Sequence, residues 1–257
     1  MKNSILLILS FSKRDFKERY VGTGLGQLWY ILSPLIMIFI YTVIFSDFMR
    51  MKLNIVDNAY AYSIYLVPGL LAWTSFSVLI SRLNLSFFEK ANLIKKIPVP
   101  MYIFQLSIFL TETLLFLLSF SMALIFLVLV DHQITLNFLW LIPIMLLQMI
   151  FAFSFGVILS LFTPFFKDFK EAIPIVLQLW FWMTPIIYMK EMVANKYPFL
   201  LTYNPFFYFV EIYQDIFLYS KTPKIESLII ISILALSTFL IAMFLYKKMI
   251  SAIKDII

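Results

Sequence analysis

The stretch from Leu28 to Phe45 constrains the fold more than any other part of the chain. Its 18 residues are all uncharged and predominantly apolar. At about 1.5 Å of rise per residue, a helix of this length roughly matches a hydrocarbon core about 30 Å thick. The basic segment 12–20, SKRDFKERY, comes shortly before it. The stretch therefore predicts a membrane-spanning helix with a positively charged approach.

The composition extends this prediction to the whole chain. Hydrophobic residues make up 63% of it and charged residues only 13%, which is typical of proteins that cross the membrane several times. We predict a single-domain, all-α integral membrane protein with an N-terminal amphipathic interface helix at 1–22, a short amphipathic helix at 86–97 and a re-entrant segment at 190–225. The six predicted transmembrane helices lie at about 28–47, 60–81, 103–130, 137–164, 172–189 and 227–246.

The distribution of positive charge predicts the orientation. Fourteen of the 20 Lys and Arg residues lie in the segments that six spans place on the same side as the N-terminus. Lys and Arg near span ends are retained in the cytoplasm, so both termini are expected there. The net charge of +6 is then explained by span ends, and nucleic acid is not an expected partner.

Several classes of chemistry are not expected. The chain has no cysteine and only His132, so neither a metal site nor a Ser-His-Asp arrangement is predicted. The glycines at positions 22, 24 and 26 follow a basic helix rather than a strand, and no GxxxxGK[ST] phosphate loop occurs. Asp15, Asp168 and Asp215 lie among basic residues and are interpreted as solvated charges. We therefore expect no catalytic residue and no bound cofactor.

Two features inside the predicted spans call for a structural explanation. Glu112 is the only charged residue between Met101 and Val130, and an ionisable group at that depth usually faces the bundle interior with a partner. Pro68 and Gly69 lie in the middle of the second span, where proline removes a backbone hydrogen bond. A broken or kinked helix facing protein or water is expected there, with an ordinary kinked packing helix as the alternative.

Aromatic residues make up 19% of the chain. Lipid-facing belts and ordinary packing explain many of them. Flat rings also pack against the C–H faces of sugars, so aromatic side chains along the spans could guide a sugar polymer. The candidates for such a channel are Trp29, Tyr41, Phe45, Trp73, Phe76, Phe181, Trp182 and Tyr188.

Four stretches together resemble one family. They are 14–46 (RDFKERYVGTGLGQLWYILSPLIMIFIYTVIFS), 88–100 (FEKANLIKKIPVP), 165–188 (FFKDFKEAIPIVLQLWFWMTPIIY) and 203–217 (YNPFFYFVEIYQDIF). In this order they are similar to the membrane subunit of polysaccharide-exporting ABC transporters, the ABC type-2 permeases that export O-antigen, capsule or teichoic acid.

The resemblance implies a permease subunit, not an enzyme, in a bacterial cytoplasmic membrane. It implies a homodimer around a channel for a lipid-linked polysaccharide, with O-antigen as the expected substrate, and two copies of a separate ATPase subunit that binds ATP and magnesium. The helix at 86–97 would be the coupling helix that contacts this ATPase. The residues assigned to this contact by the resemblance are Phe88, Glu89, Lys90, Asn92, Leu93, Lys95 and Lys96, aided by Arg14 and Lys17.

The sequence departs from the family pattern at two positions. Ser33 precedes Pro34 where the capsule branch tends to have glutamate, which argues against a capsule substrate, and Lys167 stands where the family often has arginine. Two alternatives share the predicted topology. One is an ABC type-2 exporter of drugs or small molecules, and the other is an unrelated six-span channel or membrane enzyme.

Overall fold

The computed structural model describes residues 2–49, 60–96 and 99–256, and the described residues form helices and connecting turns. The first half of the chain contains α1 (Lys2–Glu18), α2 (Trp29–Met49), α3 (Ala61–Glu89), α4 (Ala91–Lys96) and α5 (Tyr102–Leu129). The second half contains α6 (Leu141–Phe162), α7 (Phe169–Met183), α8 (Lys190–Ala194), α9 (Phe199–Thr202), α10 (Phe207–Tyr219) and α11 (Ile225–Ile256). Short 3-10 helices at Gly26–Leu28 and Leu136–Trp140 lead into α2 and α6.

Five helical segments among the described residues are long and apolar enough to cross a membrane. They comprise Gly26–Ile44, Ala61–Glu89, Tyr102–Leu129, Leu136–Phe162 and Ile225–Lys254. They correspond to five of the six predicted spans. The remaining one, predicted at 172–189, is represented by α7, which has 15 residues and ends at Met183. At about 1.5 Å per residue, α7 is only about 22 Å long, so the count of six stays a prediction.

Helix α3 lies at the centre of the bundle and packs against α2, α5, α6, α7 and α10. In its most apolar stretch 78% of the residues are buried, against 11% in α2 and 17% in α11. In a membrane protein, the apolar surface that such helices do not bury contacts lipid or another chain. Phe39 of α2, which is 67% exposed, is typical of that outward surface.

The α3–α6 crossing is close because Gly156 lies at the contact. A Cβ atom at this position would come within 3.0 Å of Leu83 Cβ and 3.2 Å of Ile80 Cα. Small residues allow helix backbones to approach closely in membranes, where van der Waals packing drives helix association. Gly156 therefore lets α6 lie directly against the central helix.

The helix bounds describe three of the predicted features more closely. Helix α3 is continuous through Pro68 and is not broken there. The amphipathic helix predicted at 86–97 is divided, because α3 continues to Glu89 and only Ala91–Lys96 forms the separate helix α4. Helix α11 contains the last predicted span, 227–246, and continues beyond it to Ile256.

The re-entrant segment predicted at 190–225 contains α8, α9 and α10. Its helix α10 packs into the protein interior, because Phe206, Phe209, Tyr213 and Phe217 are all fully buried. Whether the segment is re-entrant stays a prediction. Helix α10 packs against α3 near its start, where a Cβ on Gly69 would touch Val210. We call this side of the bundle the α10 end.

At the opposite side of the bundle, which we call the α1 end, a separate cluster of apolar side chains packs together. This cluster joins Phe87 near the end of α3, Met101, Leu161 and Ile253, with Ile94 of α4 packed against it. Helix α1 packs along the first half of α5, where the Phe11 and Phe104 ring centroids are 5.0 Å apart.

Candidate functional site

Glu112 of α5 is 4% exposed and has two cationic partners, which confirms the predicted position of this carboxylate inside the bundle. Arg82 Nη1 of α3 donates to Glu112 Oε1 at 2.5 Å, and Arg19 Nη1 donates to the same oxygen at 2.9 Å. A buried carboxylate needs compensating charge because desolvation of an unpaired ion is costly. The two guanidinium groups supply it.

Asp15 of α1 completes this group. Arg82 Nη2 donates to Asp15 Oδ1 at 2.6 Å, and the Asp15 side chain is only 12% exposed. The interpretation of Asp15 as a solvated charge was therefore wrong, because α1 packs against α5 and the Arg82 side chain of α3 binds this carboxylate. We call Asp15, Arg19, Arg82 and Glu112 the ion-pair cluster.

Two further contacts bind the same helices together. The hydroxyl groups of Ser12 and Thr111 are 3.0 Å apart, next to the ion-pair cluster on α1 and α5. Tyr30 of α2 is buried, its hydroxyl donates to the Phe16 carbonyl at 2.7 Å, and its ring stacks on Phe16 with centroids 4.2 Å apart. Helices α1, α2, α3 and α5 therefore meet at one polar junction near the α1 end.

A cavity of about 310 Å³ lies between α2, α3 and α7 and contains three of the eight predicted channel residues, Tyr41, Trp73 and Phe181. Ser77 and Gln178 also line it. We call it the aromatic cavity. Its walls combine flat rings with hydroxyl and amide groups, which is a suitable surface for a ligand that has both apolar faces and hydroxyls.

The other predicted channel residues lie elsewhere. Trp29 lines a cavity of about 170 Å³ beside α2, together with Arg19 and Glu112, which we call the α2 cavity. Trp182 is 56% exposed and its carbonyl accepts a hydrogen bond from the Tyr188 hydroxyl. The Phe45 side chain lies outside the described residues.

Phe76 does not line either cavity, because it is fully buried in the core. Its ring centroid is 4.4 Å from that of Phe206 and 5.3 Å from that of Trp180. Trp73 belongs to the same group, at 5.8 Å from Trp180, and is only 7% exposed. In this conformation these rings form the wall behind the aromatic cavity rather than an open channel surface.

Asn204 fixes that wall, and its role was missed in the sequence. Its side-chain oxygen accepts from Trp180 Nε1 at 2.8 Å and from the Phe206 backbone N–H at 3.1 Å. Its amide nitrogen donates to Thr184 Oγ1 at 2.8 Å. The Asn-Pro pair at 204–205 is a turn signal, but it does not indicate which distant groups the amide would bind.

The residues assigned to the coupling contact lie at the α1 end, in two groups. Arg14, Glu89, Lys90 and Leu93 line a cavity of about 240 Å³ between α1, α5 and the α3–α4 connection, together with Asp15, and we call it the α4 cavity. Lys17 and Lys95 are exposed. The side chains of Asn92 and Lys96 lie outside the described residues.

Phe88, the remaining residue of that set, is covered from another helix. Lys170 of α7 lies over its ring, with the ammonium nitrogen 4.3 Å from the ring centroid. The backbone of the α6–α7 turn is also attached to α3, because Asn84 donates to the Phe169 carbonyl at 3.5 Å. The end of α3 is therefore in contact with α7 as well as α4.

A second set of ion pairs lies at the α10 end. Lys190 of α8 donates to Glu211 Oε1 at 2.8 Å, and Lys224 donates to the same oxygen at 3.0 Å. Burial alone would raise the pKa of Glu211, but the two lysines outweigh it and the pKa is lowered. Burial likewise lowers the pKa of Lys190, and its bond to Glu211 outweighs this, so that pKa is raised.

Asp215 also faces this set and had been interpreted as solvated. Its side chain is only 14% exposed, and its carboxylate lies 4.0 Å from the ammonium nitrogen of Lys190. Burial raises its pKa, and the neighbouring lysines offset only part of this effect. The solvated interpretation of Asp215 was therefore wrong, for the same reason as at Asp15.

Similarity to known proteins agrees with this architecture. Residues 7–218 match the ABC-2 type transporter family. Two O-antigen export system permease proteins RfbA from Klebsiella pneumoniae are 31% and 32% identical to the chain over 213 residues, which is 82% of this chain and 80% of each relative. The polysialic acid transport protein KpsM of Escherichia coli is 23% identical over 236 residues, 91% of this chain and 90% of that relative. The chain belongs to the ABC-2 type transporter family.

Proposed function

We propose that this chain is the membrane-spanning subunit of an ABC transporter that exports a lipid-linked polysaccharide, O-antigen, across the bacterial cytoplasmic membrane. The observation that carries the proposal is its 31–32% identity, over about four fifths of both chains, to proteins named as O-antigen export permeases. ATP and magnesium would be bound by a separate ATPase subunit.

The aromatic cavity supports a glycan substrate. Sugar rings pack their C–H faces against flat aromatic rings, while hydroxyl and amide groups bind their hydroxyls. Tyr41, Trp73 and Phe181 supply the rings, and Ser77 and Gln178 supply polar groups. A cavity of about 310 Å³ holds only a short part of a polymer, so we propose that it widens during transport.

The α1 end supports an ATPase contact. There α4 is a separate short helix with an exposed lysine, Lys95, beside the basic helix α1. We propose that two ATPase copies bind at this end and that this end lies in the cytoplasm together with both termini, and the positive-inside rule supports this orientation. The apolar outward surface of α2 would then face lipid or the second copy of a homodimer.

We propose the following mechanism for this arrangement. ATP binding closes the two ATPase copies, the movement pushes on α4, and the spans separate enough for the glycan to pass between aromatic surfaces. Only a ligand or partner that interacts differently with the two states can shift such an equilibrium. In this mechanism ATP would do so by favouring the closed state of the two ATPase copies.

The test is co-purification of the detergent-solubilised chain with its candidate ATPase, followed by ATP hydrolysis with and without the lipid-linked polymer. A complex of two plus two subunits whose hydrolysis increases with the polymer is the expected result. Stimulation by small apolar compounds but not by the polymer would instead indicate a drug exporter. A folded chain that binds no ATPase would overturn the proposal.

A further inference from the structure

Arg82 connects three helices at the polar junction near the α1 end. It lies on α3 seven residues before that helix ends at Glu89, which is about 10 Å along the axis, and α4 begins two residues later. Its two terminal nitrogens bind different helices, Asp15 of α1 at 2.6 Å and Glu112 of α5 at 2.5 Å. One side chain on the central helix thus holds both neighbours.

The two carboxylates face different cavities. Asp15 lines the α4 cavity, opposite Glu89, Lys90 and Leu93. Glu112 lines the α2 cavity with Trp29 and Ser33. The Arg82 guanidinium is therefore the direct polar connection between the region beside α4 and the region beside α2.

Charge and geometry make this connection stiff. The ion-pair cluster contains two guanidinium groups and two carboxylates, so it is neutral as a whole. Separation of any helix from it would leave a charge without a partner in a place shielded from water, which is strongly unfavourable. Arginine suits the role because its planar group donates in two fixed directions, whereas a lysine ammonium acts as a point charge.

We propose that Arg82 is a positioning residue through which displacement at α4 reaches α5 and the α2 cavity, so that ATP hydrolysis and glycan movement stay coupled. This inference rests on the proposed function. The Ser12–Thr111 contact and the Tyr30–Phe16 hydrogen bond keep α1, α2 and α5 together while α3 moves them. Arg82 itself need not touch ATP or glycan.

The test uses the complete complex of permease and ATPase in vesicles supplied with lipid-linked polymer. The double variant Asp15→Asn with Arg82→Gln removes the ion pairs of α3 with both α1 and α5 but leaves the Arg19–Glu112 pair and the net charge intact. We expect it to assemble and to hydrolyse ATP at a basal rate within about twofold of the wild type. We expect the ATP consumed per polymer exported to rise at least tenfold.

A control with the same charge balance is Glu211→Gln with Lys224→Gln, which removes the ion pairs that Glu211 of α10 makes with Lys224, just before α11, and with Lys190 at the α10 end. This control should keep the wild-type ratio of ATP to polymer. Arg82→Lys keeps the charge but not the fork, and it should show a smaller loss of coupling. The consumption ratio matters because a merely structural defect lowers both rates together.

The outcomes separate the two proposals. A wild-type complex whose hydrolysis does not respond to polymer would refute the proposed function. A wild-type complex that responds, with both Arg82 variants coupled normally, would refute the role of Arg82 alone. Loss of assembly in both Arg82 variants would also refute it, because Arg82 would then be needed for folding rather than for transmission.

Discussion

Replacement of Gly156 by alanine tests the contact on which the bundle depends. The added Cβ would lie 2.7 Å from Leu83 Cδ1, 3.0 Å from Leu83 Cβ and 3.2 Å from Ile80 Cα. The first atom can move by rotation of the leucine side chain. The other two are fixed to the α3 backbone, so α3 and α6 must separate by a few tenths of an ångström.

The magnitude follows from two opposing effects. Overpacking of a close contact costs about 1–3 kcal/mol. Alanine in a helix is better than glycine by about 1 kcal/mol. Because backbone atoms are involved, we expect a net loss of about 1–2 kcal/mol, which corresponds to a melting temperature lower by about 2–8 °C in a chain of this size.

The assay heats the detergent-solubilised protein and measures, by size-exclusion chromatography, the fraction that remains folded at each temperature. Two glycines serve as matched controls. Gly69→Ala meets only side-chain atoms, at 3.3 Å from Ile186 and Val210, and should cost less than about 1 kcal/mol. Gly24→Ala meets nothing within 4 Å and should be neutral. If Gly156→Ala melts no lower than Gly24→Ala, the reasoning about the α3–α6 crossing is wrong.

Four further predictions concern the sites. Lys95→Glu should abolish export while leaving membrane insertion intact, because it reverses the exposed charge on α4. The same change at exposed Lys196, towards the α10 end, should have little effect on export. Normal export by the Lys95 variant would contradict the proposed ATPase contact. Tyr41→Leu with Phe181→Leu should slow export severalfold, since two flat rings of the aromatic cavity are lost. The control is Phe39→Leu, which removes an outward-facing ring on α2. Equal export rates for the double variant and this control would argue against glycan contact. Asn204→Ala should lower the free energy of unfolding by about 2–3 kcal/mol, because Trp180 Nε1 and the Phe206 N–H lose their acceptor. The control Asn195→Ala, at an exposed position, should not lower it. An unchanged melting temperature of the Asn204 variant would contradict its role. The Lys190–Glu211 pair should stabilise the protein between the ordinary pKa values of 4.5 and 10.5, and this stability should be lost as pH falls through the lowered pKa of Glu211 or rises through the raised pKa of Lys190. The melting temperatures of the wild type and of Lys190→Met with Glu211→Gln, measured against pH, should therefore differ most between those limits. Parallel profiles would contradict the pairing.

The accuracy of the sequence-based predictions depends on whether each one rests on local or on distant residues. The spans that match α2, α3, α5, α6 and α11 were predicted from runs of apolar residues, and such runs act through the sum of neighbouring side chains. Glu112 was predicted to have a buried partner because an isolated charge at that depth is too costly. The family was also recognisable, since four stretches resemble its motifs and follow one another in the family's order.

The partners themselves came only from the tertiary structure. Arg82 and Arg19 are 30 and 93 residues away from Glu112 in the chain, and no local pattern indicates that they converge. For the same reason Asp15 was taken to be solvated, and Phe76 was assigned to a channel surface when it lies in the core.

The sequence by itself therefore determined the membrane class, the family and the approximate spans, because hydropathy and motif order are properties of contiguous residues. The tertiary structure alone decided which side of each helix meets which neighbour, that α7 ends at Met183, and which charges and rings come together. The physical reason is that apolar helices in lipid gain little from hydrophobicity when they associate. Close packing at residues such as Gly156 and the satisfaction of buried polar groups select their arrangement, and both are properties of the whole bundle.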